Sequence, residues 1–98
     1  MFTGCVEFDL LLPPDSRSLK AKRSYVRPIV AALRRFEVAV AEVGDQDLLG
    51  RTTVGVAAVA GDCPRVEEVL NRCERLVAAR PEVELLGARR RVFGPEDE

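Results

Sequence analysis

With 98 residues, 47% hydrophobic and 32% charged, the chain has the length and apolar content for one hydrophobic core, and lacks the charge imbalance of a disordered chain. A formal net charge of −1 argues against a uniformly basic nucleic-acid binder, and the absence of histidine removes the commonest general base and every Ser-His or Cys-His nucleophile. Met1 to Glu7 has no basic leader, and no apolar run approaches the roughly 20 residues that span a bilayer, so the expectation is a cytoplasmic protein with no membrane partner.

From the N-terminus, Phe2, Gly4, Val6, Phe8, Leu10 and Leu12 alternate with Thr3, Cys5, Glu7, Asp9 and Leu11, a period of two that predicts a half-buried strand ended by Pro13-Pro14. Ser18 is placed to cap a helix in which Leu19, Val26, Ile29, Val30 and Leu33 recur at helical spacing through about Arg35. Pro28 lies inside it, where the lost backbone hydrogen bond predicts a kink near Arg27 or a break into two shorter helices. Residues 37–43 alternate again as a second strand. The Thr- and Val-rich segment 51–60 makes a third, and 44–50 forms a hairpin connection with glycine at both ends.

Asp62 and Pro64 announce a second helix with Val66, Val69, Leu70, Cys73, Leu76 and Val77 on one face. Pro81 ends it, and Val83, Leu85 and the residues to about Phe93 form the last strand. The order βαββαβ implies a ferredoxin-like α+β sandwich over residues 1–93. In it a four-stranded antiparallel sheet carries both helices on one face. The acidic tail 94–98 is expected to fray.

The motifs for common chemistries are missing. There is no phosphate-cradling Gly-rich loop, and Cys5, Cys63 and Cys73 have neither paired spacing nor a histidine companion. They read as reduced thiols, with Cys63 near a helix N-terminus the one open to activation. Asp45 and Asp47, with Glu42 nearby, present hard oxygen ligands, although aspartate in a turn ordinarily bonds the local backbone. The expectation is a non-catalytic protein without metal or cofactor.

One feature departs from this blandness. Residues 16–36 hold Arg17, Lys20, Lys22, Arg23, Arg27, Arg34 and Arg35 and no carboxylate. At ~100° per residue Lys20, Arg23, Arg27 and Arg34 fall within about 60° of one another, a ridge beside the apolar stripe. Such a row suits phosphate backbones better than a base code. As a merely solvated face it would ordinarily mix charge signs. The outward positions Cys5, Glu7 and Asp9 disfavour base stacking on the sheet, and no G-x-x-G clamp occurs, so RNA contacts fall to the ridge, with Arg89-Arg90-Arg91 as a second basic cluster.

The segments Ser18-Leu19-Lys20-Ala21-Lys22-Arg23-Ser24 and Ala41-Glu42-Val43-Gly44-Asp45-Gln46-Asp47-Leu48 resemble the bacterial YlxP-like family of small uncharacterised proteins. The similarity continues through Gly61-Asp62, Val66-Glu67-Glu68-Val69-Leu70 and Arg80-Pro81-Glu82-Val83-Glu84. This resemblance implies a ferredoxin-like fold and carries no catalytic residues. It also implies a ribosome- or RNA-related role, because members are often encoded beside genes for translation initiation and ribosome maturation. Leu49 stands where such proteins often carry tryptophan, which weakens any role for an aromatic in that loop. Two classes of function remain open: an accessory factor that binds ribosomal RNA or ribosomal subunits through the ridge, and a homodimeric or protein-interaction module that pairs through its sheet face or an edge strand.

Overall fold

In the computed structural model, which describes residues 1–45 and 48–97, the elements run β1 (Phe2–Leu11), α1 (Leu19–Arg34), β2 (Ala39–Gly44), β3 (Arg51–Ala60), α2 (Cys63–Ala78) and β4 (Glu84–Phe93). The four strands form one antiparallel sheet in the order β2-β3-β1-β4. This is the ferredoxin-like arrangement.

Alternation along each strand divides the sheet into two unlike faces. Val6, Phe8 and Leu10 of β1 and Val54, Val56 and Ala58 of β3 turn inward. There they form one cluster with Ile29 and Leu33 of α1 and Val66, Leu70, Cys73 and Val77 of α2. The expected core residues Val26, Leu33, Leu70 and Cys73 are buried, while Val30, Val69 and Leu76 pack against the cluster from its margin. Gly4 shares the inward face, and a Cβ there would stand 2.3 Å from Val66 Cγ1 and 2.9 Å from Leu70 Cδ1. Its missing side chain is what lets α2 approach β1 so closely.

Both helix starts are capped as their sequences require. Ser18 Oγ accepts from the Ala21 amide at 3.1 Å and Asp62 Oδ1 from the Arg65 amide at 2.8 Å. α1 runs through Pro28 as one helix of 16 residues, so the break into two did not form. α1 ends when Glu37 enters the left-handed region at φ 61°, which delays β2 to Ala39, two residues beyond the sequence expectation. Pro95–Asp97 closes a 3₁₀ turn in which Asp97 Oδ2 accepts from the Gly94 amide at 2.7 Å.

Candidate functional site

α1 presents two cationic populations with opposite fates. Lys20, Arg23, Arg27 and Arg34 are exposed along one side of the helix, as their shared azimuth requires. Arg23, Arg27 and Arg34 line a groove of about 690 Å³ together with Leu19, Val26, Val30, Ala31 and the Lys22-Glu42 pair. A second depression of about 370 Å³ is lined by Lys20, Arg23, Ser24, Arg27 and Pro28. Among the described residues, ion pairs occupy Lys22, Arg80, Arg89 and Arg90, and none involves a ridge cation. Arg34 is the most constrained of the four, since its guanidinium donates to the Val40 carbonyl at 3.3 Å.

Lys22 turns the other way. It is 3% exposed, with Nζ donating to the carbonyls of Asp45 at 2.7 Å and Leu48 at 2.6 Å and lying 3.1 Å from Glu42 Oε2. The same carboxylate oxygen accepts from the buried Thr52 hydroxyl at 2.5 Å. An ammonium with three donors is thereby matched to anionic and carbonyl oxygens, which is how a buried lysine avoids its desolvation penalty. Asp45 and Leu48 are thus held against α1, and Ser16 Oγ adds a bond to the Leu49 carbonyl at 2.7 Å. The sequence places Lys22 among the seven cations of residues 16–36 but outside the ridge. The signal that places it inside was its spacing, four, seven and eleven residues before Val26, Ile29 and Leu33.

Glu42 therefore serves Lys22 and Thr52. Asp47 lies outside the described residues, and no cluster of three or more metal-ligating side chains occurs among the described ones. The arginine run of β4 is largely neutralised. Arg89 pairs with Glu7 and Asp9, while Arg90 pairs with Glu67 at 3.1 Å and Glu74 at 3.5 Å. The hydrogen bond from Arg89 holds the Asp9 carboxyl below its ordinary pKa, and the same contact raises that of Arg89. All three cysteines are free, and burial pushes the Cys73 thiol up. No described helix is long and apolar enough to cross a membrane.

Residues 3–90 match the family described as Protein of unknown function (DUF503). The chain is also 35% identical over 71 residues to the Uncharacterized protein YlxP of Bacillus subtilis (strain 168), covering 71% of this chain and 77% of that protein. With the family match spanning most of its length, the chain belongs to the DUF503 family.

Proposed function

We propose that this protein is a non-catalytic RNA-binding accessory factor of the cytoplasm, with structured RNA such as that of ribosomal subunits held by Lys20, Arg23 and Arg27 and assisted by Arg34. The observation that carries this reading is that these four have no ion pair among the described residues, set against the paired Arg89 and Arg90 of β4. Unpaired cations on one rigid helix keep their full attraction for phosphate and need no internal ion pair broken first. α1 is fixed by its buried stripe, so the row is held in a constant geometry. The absence of histidine leaves the proposed role as binding rather than turnover.

Recognition of this kind positions the protein on a backbone and reads shape more than sequence. Charge reversal by Arg23→Glu with Arg27→Glu is expected to weaken binding to unrelated structured RNAs by a similar factor, with the melting temperature nearly unchanged. Electrophoretic shift or fluorescence anisotropy with two unrelated RNAs and isolated ribosomal subunits makes the comparison. Equal binding by wild type and the double reversal would remove the ridge from the function.

A further inference from the structure

The face of the sheet opposite the helices is uncovered, and its β2-β3 half is uncharged apart from Arg51 at the start of β3. Ala39, Ala41 and Val43 of β2, Gly55, Ala57 and Val59 of β3, and Cys5 of β1 point outward there, with Val59 67% exposed. Val43 lies across Gly55, where a Cβ would stand 3.0 Å from Val43 Cγ1. Leu11 and Phe93 extend the apolar surface towards the ends of the sheet, both partly exposed. On the β1-β4 side of this face Arg89 is paired with Glu7 and Asp9, while Arg91, opposite Cys5, is exposed and has no ion pair among the described residues.

We infer that this face is the interface of a two-fold homodimer in which two sheets stack against each other. An apolar half beside a half that carries both signs, Glu7 and Asp9 on β1 and Arg89 and Arg91 on β4, does not favour a partner of one charge sign. It is complementary to a second copy of itself, as a two-fold contact requires. The size also fits. Three strands of ten residues and one of six at ~4.8 Å spacing and ~3.3 Å per residue give each copy a footprint of roughly 570 Å². Two such faces bury about 1,100 Å², just above the ~1,000 Å² that a specific interface should clear.

The sheet edges are poor alternatives. β2 is six residues long, bulged between Glu42 and Gly44, and has its Val40 carbonyl engaged by Arg34. β4 is bulged opposite Asp9/Leu10 and carries Arg89-Arg90-Arg91. Short length, bulges and edge charges are the devices that prevent strand addition. Stacking by the face would leave both α1 ridges on the outer surfaces of the dimer.

Sedimentation velocity from low to several hundred micromolar tests the inference. The full chain is expected to show a monomer-dimer equilibrium in that range, as an interface of this size allows. Ala57→Glu and, separately, Val59→Lys should shift it to monomer without changing circular dichroism or the melt of dilute protein. Glu68→Lys on α2 and the double reversal Arg23→Glu with Arg27→Glu should leave it in place. Alkylation of Cys5 should also slow as protein concentration rises, while that of Cys63 should not. Should Ala57→Glu fail to fold, the exposed Val59→Lys decides alone. A wild type that stays monomeric throughout overturns the proposal. So does a dimer indifferent to the face substitutions, or an open-ended series of larger species. Because the ridge reversal is scored in the same experiment, loss of RNA binding and loss of dimerisation are read separately.

Discussion

Lys22 and Lys20 are the two lysines of the chain, two positions apart on one helix, and the fold gives them opposite surroundings. Lys20 is solvent-exposed, whereas Lys22 is enclosed by Glu42 and the carbonyls of Asp45 and Leu48. Amine acylation followed by mass spectrometry should therefore modify Lys20 rapidly and Lys22 only on opening of the β2-β3 loop. Lys22→Met should destabilise the protein by about 2 to 4 kcal/mol. That is below the ~3–5 kcal/mol for breaking a fully buried pair, since Glu42 keeps some contact with water. Equal labelling of the two amines would contradict the placement of Lys22.

Tyr25, the single tyrosine of a chain without tryptophan, gives a second residue-level readout. Its hydroxyl donates to the Asp15 carboxylate at 2.9 Å, and this bond raises the phenol above its ordinary pKa. A raised folded value means that the contact stabilises the fold below the ordinary tyrosine pKa of about 10 and is lost as pH rises through the folded value. Phenolate absorbance should show Tyr25 titrating at higher pH in the wild type than in Asp15→Asn. Identical titration curves would show that the bond does not form in solution.

At the scale of elements, the approach of α2 to β1 depends on Gly4. Gly4→Ala must displace Val66 and Leu70, and overpacking of this kind costs about 1–3 kcal/mol. Leu70→Ala leaves a cavity at the same contact and should cost about 2–5 kcal/mol. Urea unfolding measures both, and an unchanged midpoint for either would contradict the packing. These elements were legible in the sequence because strand alternation and helical spacing are local patterns. β3 begins and ends where its Thr- and Val-rich run does, and both caps form at Ser18 and Asp62. The late start of β2 was not legible, because it depends on Glu37 adopting a left-handed conformation that a glutamate seldom takes. The ridge azimuth was readable from the helical period alone. The engagement of Arg34 with Val40 and of Arg89 with Glu7 and Asp9 was not, because those partners meet only after the sheet and helix have packed.

For the whole molecule, the fold separates two surfaces of different chemistry. The α1 side offers cations without ion pairs among the described residues beside a groove, and the open sheet face offers an apolar β2-β3 half next to a half of mixed charge. A dimer stacked through the sheets would display two ridges and bind a long RNA with the advantage of an intramolecular second contact. The ridge itself makes a narrower demand that does not depend on dimerisation. Neutralising phosphates releases counterions, so log affinity should fall linearly with log salt by ~0.7–0.9 per contact. Three to four ridge contacts on a single protomer then give a slope of roughly −2 to −3.6. The most direct measurement is a salt titration of RNA affinity for wild type and for Arg23→Glu with Arg27→Glu, using protein held monomeric by Val59→Lys in both backgrounds. The expected result is a slope in that range for the ridge-intact protein and a shallower one, with weaker binding at every salt concentration, for the reversal. Superimposable titrations, or no binding by either protein at low salt, would contradict a phosphate-binding role for α1.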